Sequence, residues 1–319
     1  MRVAFITDTL NLRGMAVATY DYANHNENVL GNESFVFYQG TPSGRGTLDA
    51  YAKFRNRFKS LTPFDTYPEL HALIEKNKID YTYRLSWGHN ESKILDGKTS
   101  PWGIHVVFKR YHPYGDKYAY ISEWLRNISH PKSDFVPHII DLPKVDTDLR
   151  SELGISPDKF VFGGLGDVKS FNIPFVINTV KKALDKRSDL VFAFLNFEKF
   201  CDHERCIFLP GTYDLEYKTN FINTCDAMIH ARLRGETFGL SVGEFSARNK
   251  RIATYSMSTE REHYRILGDK ALLYKDEKDL MDIFMGVTKV EGDFDCYSKQ
   301  FSPTNVMAQF SKVFLNKEF

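Results

Sequence analysis

The sequence predicts an α/β protein built from two mostly parallel sheets, and three observations lead to this prediction. Apolar strand patterns alternate with amphipathic helix patterns along most of the chain, an order typical of parallel sheets. Polar, turn-forming residues interrupt the alternation at 141–148, and a new strand pattern begins at Phe160. The 319 residues, of which 42% are hydrophobic and 14% aromatic, are enough to fill two hydrophobic cores.

The first half opens with an apolar strand pattern at residues 2–7, a polar loop that reaches Gly14, and a helix pattern at residues 16–24. Runs of apolar residues predict further strands at residues 34–38, 80–85, 103–108, 118–122 and 135–139. Residues 68–77 are predicted to form a helix between them. Because strands and helices alternate, we expect most of these strands to pair in parallel.

The second half repeats this order, starting with the strand pattern Phe160-Val-Phe-Gly-Gly164. Helices are predicted at residues 174–184, 216–223 and 240–248, and strands at residues 190–195, 206–209 and 227–230. An amphipathic helix pattern at residues 303–315 closes the sequence. The predicted domains are therefore an N-terminal domain at 1–143, a C-terminal domain at 144–300, and a final helical segment at 301–319.

Composition and charge exclude several classes of protein. Basic and acidic residues nearly cancel, at 42 against 41, so the formal charge of +1 provides no overall attraction for nucleic acid. The cysteines show no C-x-x-C pair and no histidine spacing of a structural zinc site, so we expect reduced thiols. The apolar run at residues 3–6 is too short for a signal-peptide core or a transmembrane segment. We expect a cytoplasmic protein, for which peripheral contact with a membrane stays open.

Glu236 and Glu244, with seven residues between them, are the most informative feature for function. The neighbouring strand and helix patterns place Glu236 in a loop and Glu244 in the helix that follows it. The amides of the first helical turn are unpaired and the helix dipole favours an anion, so a diphosphate would fit there. Gly239 admits close backbone approach, and both carboxylates can accept hydrogen bonds from hydroxyls. The alternative is one acidic residue placed favourably at the helix dipole and a second on a solvated face.

This stretch resembles the E-x-F-G-x-x-x-x-E signature of the retaining glycosyltransferases of family 4. The resemblance continues through Asn249-Lys-Arg-Ile-Ala-Thr254, through residues 263–274 and, upstream, through residues 160–164. It implies the GT-B fold, in which two Rossmann-like domains face each other across a cleft and a C-terminal helix crosses back to the first domain. It also implies that the N-terminal domain takes a glycan or other hydroxyl acceptor and that the C-terminal domain binds a nucleotide-diphosphate sugar. The sugar would be transferred with retention of anomeric configuration and without a metal or other cofactor.

The resemblance implies roles for individual residues. Glu236 would contact the donor sugar as the candidate catalytic residue, Glu244 would bind the ribose, and His105 would lie near the reacting sugar. The other donor-binding candidates are Phe238, Gly239, Leu240, Lys169, Gly164, Arg232 and His230. Arg13 and Gly14, in the loop after the first strand, are candidates for contact with the acceptor or with phosphate.

One loop departs from the family pattern. Gly163-Gly-Leu-Gly166 has no arginine where one is expected, at about Gly164. Lys169, Arg232 or Arg234 would then supply the positive charge that a buried diphosphate needs. The departure leaves open a degenerate member that binds a sugar nucleotide or a glycan without transferring a sugar.

Two other classes of site were weighed. Paired carboxylates also serve glycoside hydrolases, although the loop-and-helix context favours the transferase. Asp146-Thr-Asp148 and Asp293-Phe-Asp295 resemble the metal-binding D-x-D motif of the other large glycosyltransferase class. Both follow turn-forming residues rather than an apolar strand, so we expect no metal site. The loops expected to select the acceptor, at residues 40–64 and 86–101, have no readable code.

Overall fold

The computed structural model describes residues 1–40 and 47–318. The chain divides into two compact units, which we call unit 1 (Met1–Ile139 with Phe301–Phe319) and unit 2 (Ile140–Gln300). Each unit is built on one large parallel sheet with helices between successive strands, which confirms the predicted α/β class.

The sheet of unit 1 contains, within the described residues, seven parallel strands in the order β3-β2-β1-β4-β5-β6-β7. In chain order they are β1 (Arg2–Thr7), β2 (Glu33–Gln39), β3 (Ser60–Phe64), β4 (Tyr81–Ser86), β5 (Trp102–Val106), β6 (Lys117–Tyr120) and β7 (Asp134–Phe135). The central strands β4 and β5 are buried along their whole length, as expected for a parallel sheet covered on both faces.

The helices between these strands are α1 (Gly14–Asn28), α2 (Leu48–Arg57), α3 (Tyr67–Lys76) and α4 (Glu123–Ser129), and Ser92–Leu95 forms a 3₁₀ helix. Helix α3 begins at a capping box, in which the Thr66 hydroxyl accepts from the Glu69 amide and the Glu69 carboxylate accepts from the Thr66 amide. Its predicted start and end are therefore within one residue of the observed ones.

The predicted patternless segment at residues 40–64 lies partly outside the described residues, and the rest of it contains α2 and β3. The helix was missed because its buried side chains, Ala50 and Phe54, are too few to make a periodic apolar pattern. The strand was missed because it contains Pro63, which a parallel sheet accommodates at its edge, where β3 lies.

Unit 2 contains a six-stranded parallel sheet, again within the described residues, in the order β10-β9-β8-β11-β13-β15. The strands of unit 2 are β8 (Phe160–Leu165), β9 (Leu190–Leu195), β10 (Cys206–Leu209), β11 (Ala227–His230), β12 (Gly235–Glu236), β13 (Arg251–Tyr255), β14 (Glu260–Arg261) and β15 (Ala271–Tyr274). The short strands β12 and β14 pair with each other. Strands β9, β10 and β11 have the predicted bounds, because each is an apolar run flanked by turn-forming residues.

The helices of unit 2 are α5 (Pro174–Lys186), α6 (Leu215–Thr224), α7 (Leu240–Ala247), α8 (Glu262–Leu267) and α9 (Glu277–Gly286), with a 3₁₀ turn at Gly268–Lys270. The core of this unit is rich in phenylalanine rings, including a stacked pair formed by Phe162 and Phe192 with centroids 5.7 Å apart. Asn249, shortly after α7, has φ of 58°, the left-handed conformation predicted for this position.

The last helix, α10 (Pro303–Phe314), is part of unit 1. Its Phe310 ring stacks on Tyr22 at 5.4 Å and lies 6.4 Å from Phe5, centroid to centroid. The Gln309 side-chain amide donates to the Phe135 carbonyl at 2.6 Å. The C-terminal segment therefore completes the aromatic core of the N-terminal sheet.

Candidate functional site

The candidate site lies in unit 2, at the carboxyl edge of β8, β11 and β13. These three strands are neighbours and parallel, so the loops that follow them emerge at one edge of the sheet. Asn172 joins two of these loops: its amide donates to the Ala231 carbonyl at 2.9 Å, and its side chain accepts from the Leu233 amide at 2.8 Å. The loop after β8 and the loop that carries Glu236 are thus held together.

The Glu236 carboxylate is held by two side chains, one at the end of β11 and one just after it. Arg232 Nη1 donates to Oε2 at 2.7 Å, and His230 Nε2 lies 3.3 Å from Oε1. Burial raises the pKa of Glu236, but the Arg232 guanidinium and the His230 hydrogen bond outweigh it and lower the pKa from 4.5 to about 2. Glu236 is consequently a carboxylate at neutral pH, with its orientation fixed.

A chain of hydrogen bonds supports His230 from behind. The Thr254 hydroxyl lies 2.9 Å from His230 Nδ1 and 3.1 Å from His263 Nε2. Burial lowers the pKa of His263 to about 3, so its imidazole is neutral. Because an ionised carboxylate only accepts hydrogen bonds, His230 Nε2 donates to Glu236, while His230 Nδ1 faces the Thr254 hydroxyl. Thr254 of β13 and His263 of α8 thereby orient the His230 side chain at the end of β11.

Gly239 brings the start of α7 close to Glu236. It is the N-cap residue, has φ of 91°, and provides no side-chain cap for the free amides of the first turn. A Cβ at this position would lie 3.1 Å from His263 Cβ and 3.3 Å from Glu236 Cβ. The start of α7 therefore lies beside Glu236 and has no side-chain cap.

Glu244, in the second turn of α7, forms an ion pair with Lys218 of α6 through its Oε1. Both side chains are largely buried, with 10% of Glu244 and 13% of Lys218 exposed. This partner could not be predicted from the sequence, because it lies 26 residues away on another helix.

Gly164, which lies within β8, requires a correction. Gly164 was predicted to approach a ligand, but it is buried, and a Cβ there would lie 3.1 Å from ring atoms of Phe194 and Phe197. Its lack of a side chain is thus explained by packing of the sheet. Lys169 is exposed, and its amide is held by the Asp167 carboxylate at 3.4 Å.

The two arginines proposed to neutralise a diphosphate are both engaged with carboxylates. Arg232 binds Glu236, and Arg234 Nη2 lies 2.7 Å from Glu260 Oε1. Arg232 therefore orients Glu236, whereas it was expected to neutralise a diphosphate.

His105 also requires a correction. It lies in β5 of unit 1, is fully buried, and its Nδ1 is 2.7 Å from the Tyr83 hydroxyl. Its ring packs against Tyr22 and Phe314, with centroids 5.6 and 5.3 Å away. Burial lowers the pKa of His105 to about 3. These contacts belong to a core histidine and do not fit a group that touches a substrate.

The remaining predicted residues lie at the start of α7 in unit 2 and at the start of α1 in unit 1. Phe238 is buried; its ring meets Tyr297 edge-on, and its carbonyl accepts from the Tyr297 hydroxyl at 3.2 Å. Leu240 is the first residue of α7 and is half-buried. Arg13 and Gly14 are exposed at the start of α1 in unit 1, where the Arg13 amide donates to the Asn11 side chain at 2.9 Å.

Within residues 1–40 and 47–318, the His, Cys, Asp and Glu side chains form no group of three or more that could hold a metal ion. Asp295, from the second D-x-D stretch, accepts hydrogen bonds from the amides of Tyr297 and Ser298, which fits a turn. No helix in the described part of the chain has the length and apolar character needed to cross a bilayer. The cysteines are unbonded thiols.

Three residues of this constellation, Lys218, Thr254 and His263, were given no role from the sequence. Thr254 and His263 lie in segments that only resemble the family pattern, and nothing in those segments distinguishes a supporting hydrogen bond from ordinary core packing. Lys218 had no signal at all, because a lysine on an amphipathic helix is normally solvated.

Neither a family model nor a curated protein matches the chain. Solved structures do match it. Anabaena HepE in complex with UDP and glucose gives a TM-score of 0.73 at 13% identity, covering 99% of this chain and 100% of that one. S. aureus MnaA with UDP gives 0.65 at 13% identity, covering 100% and 98%. Sucrose-phosphate synthase from Thermosynechococcus elongatus gives 0.63 at 12% identity, covering 98% and 95%. At these identities the likeness concerns the fold, which is the GT-B fold.

Proposed function

We propose that unit 2 binds a nucleotide-diphosphate sugar and that the protein transfers the sugar to a hydroxyl group of a glycan or similar acceptor. The observation that carries this proposal is the Glu236 carboxylate, fixed by Arg232 and His230 beside the uncapped start of α7, with Glu244 farther along the same helix. Two of the similar folds are structures with UDP, which supports the choice of ligand.

Each part of the donor has a counterpart in this arrangement. The free amides at the start of α7 suit the diphosphate, and exposed Lys169 adds a positive charge from the neighbouring loop. Glu244 lies four residues beyond Leu240, about 6 Å along the helix axis, so its carboxylate can accept hydrogen bonds from ribose hydroxyls. Glu236 accepts from hydroxyls of the sugar.

The chemistry then depends on stabilising the departing diphosphate. Negative charge grows on the leaving phosphate as the glycosidic bond breaks, and the preorganised amides of α7 with Lys169 stabilise it without reorganisation. Glu236 keeps the sugar in place, and the acceptor hydroxyl attacks from the face that the diphosphate leaves, passing its proton to the departing phosphate oxygen. This route retains the anomeric configuration and uses neither a metal nor a protein nucleophile.

The glycoside hydrolase alternative fits less well. A general acid needs a raised pKa, whereas the Arg232 guanidinium holds the pKa of Glu236 at about 2. The alternative of a protein that binds the donor without transferring the sugar has better support than the hydrolase. No arginine stands at Gly164, and both neighbouring arginines, Arg232 and Arg234, are paired with carboxylates.

Calorimetric titration with UDP, GDP, ADP and their common sugar conjugates tests donor binding. We expect one nucleotide series to bind, and Glu244→Ala to weaken it by about 10- to 100-fold, the value of a hydrogen bond to a charged group. Glu277→Ala is the matched control, because Glu277 forms an exposed ion pair with Lys182 in the same unit. Absence of binding by every nucleotide, or unchanged affinity in Glu244→Ala, would exclude the proposed donor site.

Transfer is tested separately, by incubating the bound donor with a panel of glycan acceptors. Product with the anomeric configuration of the donor, formed equally in the presence of EDTA, is the expected result. Tight donor binding with neither transfer nor slow donor hydrolysis would select the alternative of a binding protein.

A further inference from the structure

The ion pair between Lys218 and Glu244 joins α6 to α7 in a largely buried position. Removing an ammonium group and a carboxylate from water is costly, and an apolar pair of similar volume would often stabilise a fold as well or better. The pair therefore needs an explanation beyond stability.

A purely structural role between the two helices is already filled by other contacts. The Phe221 and Phe245 rings meet edge-on with centroids 6.3 Å apart. The Arg248 guanidinium, at the end of α7, donates from Nε to the Asn223 side chain of α6 at 2.8 Å. Helices α6 and α7 are thus connected both by ring packing and by a hydrogen bond that do not involve Lys218.

We propose that Lys218 is a positioning residue that sets the specificity of the site for the ribose of the nucleotide. Its ammonium group binds Oε1 of Glu244 and holds the carboxylate in one orientation, so that the ribose hydroxyls meet a fixed acceptor. This inference rests on the proposed donor site and adds to it a residue that reaches the ligand through Glu244.

A direct contact between Lys218 and the diphosphate is the competing assignment, and the geometry favours it less. The phosphate position argued above is at the start of α7, next to Gly239, whereas Lys218 is engaged at Glu244, about one turn farther along the helix. The positive charge of Lys218 is also already paired with the negative charge of Glu244, which weakens its attraction for a phosphate.

The test compares UDP with 2′,3′-dideoxy-UDP, which lacks both ribose hydroxyls, by calorimetric titration of the full-length protein. The wild type should prefer UDP by about tenfold or more, the value of hydrogen bonds to a charged group. Lys218→Met should reduce that preference severalfold while binding dideoxy-UDP as the wild type does. Lys218→Arg should keep most of the preference, because it retains the charge.

Two further variants separate positioning from general damage. Lys182→Met is the matched control, since Lys182 forms an exposed ion pair with Glu277, and it should behave as the wild type. In a Glu244→Gln background, Lys218→Met should cause no further change in the ratio of the two affinities, because the carboxylate that it positions is gone. If Lys218 had only a structural role, Lys218→Met would have the same effect with and without the Glu244→Gln substitution.

Each outcome is decisive. Equal losses for UDP and dideoxy-UDP in Lys218→Met would assign the lysine to the phosphates and overturn the inference, as would an unchanged preference. If Lys218→Met does not fold, a wild-type preference retained by Lys218→Gln would overturn it in the same way. If the wild type binds neither form of UDP, the same comparison is made with GDP and ADP, and if none of the three binds, the proposed donor site fails and the inference with it. If the wild type binds the ribose and dideoxyribose forms equally, the diphosphate part of the donor site stands, whereas the ribose contact of Glu244 and the inference both fail.

Discussion

The ion pair between Arg232 and Glu236 yields a quantitative prediction for Arg232→Met. In the wild type the Glu236 side chain is 16% exposed and has the guanidinium 2.7 Å away. Burial raises the pKa of Glu236, and Arg232 with His230 lowers it to a net value of about 2 from the usual 4.5. A shift of this size corresponds to about 3 kcal/mol of folding free energy.

We expect Arg232→Met to lower the free energy of unfolding by about 3 kcal/mol at pH 7.5, because it leaves a buried carboxylate without its cation. In the wild type, a carboxyl with a depressed pKa stabilises the fold above pH 4.5, and this contribution is lost as the pH falls towards 2. In the variant, the guanidinium no longer lowers the pKa of Glu236, so this pKa is higher than in the wild type and the carboxyl takes up a proton at a higher pH. The difference between the two proteins should therefore narrow between pH 7.5 and pH 4.5.

Urea unfolding followed by circular dichroism at both pH values measures this difference. Tryptophan fluorescence is unsuitable, because Trp87, Trp102 and Trp124 all lie in unit 1. In a Glu236→Gln background, Arg232→Met should lower the free energy of unfolding much less. Lys278→Met, which breaks an exposed pair of the same i, i+4 spacing, should have no measurable effect. A variant as stable as the wild type, or a difference that is independent of pH, would refute the reasoning.

Three other predictions concern packing and protonation. Gly163→Ala should lower the free energy of unfolding by about 1–3 kcal/mol, because its Cβ would overlap the Cys225 thiol; an unchanged melting temperature would count against this. Gly239→Ala should weaken UDP binding and cost about 1–2 kcal/mol in a urea titration, because its φ is 91°, and wild-type behaviour in both assays would contradict it. Stability should fall from pH 7.5 to 5.5 by about 1 kcal/mol for each histidine that burial keeps neutral, since only the unfolded chain takes up protons below about pH 6.5. These histidines, each with a pKa of about 3, are His105, His138 and His263. Equal unfolding free energies at the two pH values would rule this out.

Local patterns were sufficient for much of the fold. The runs 190–195 and 206–209 are apolar throughout and bounded by turns, so their strands could be predicted to the residue. Helix α2 and strand β3 could not, because one has few buried positions and the other contains a proline that only its place at the sheet edge makes acceptable. The apolar pattern of a short segment indicates which of its faces are buried. It does not indicate where a strand lies within the sheet.

The same division applies to the candidate site. The sequence by itself determined that Glu244 lies in the helix after Glu236, because this depends on neighbouring residues alone. Glu236 was expected in a loop, but it lies in the short strand β12, because β12 pairs with β14, which is distant in sequence. The tertiary structure decided that Arg232 holds one carboxylate, that Lys218 holds the other, and that His105 is enclosed in an aromatic core. Ion pairs and burial join residues that are distant in sequence, and only the packing of strands and helices brings such residues within contact distance.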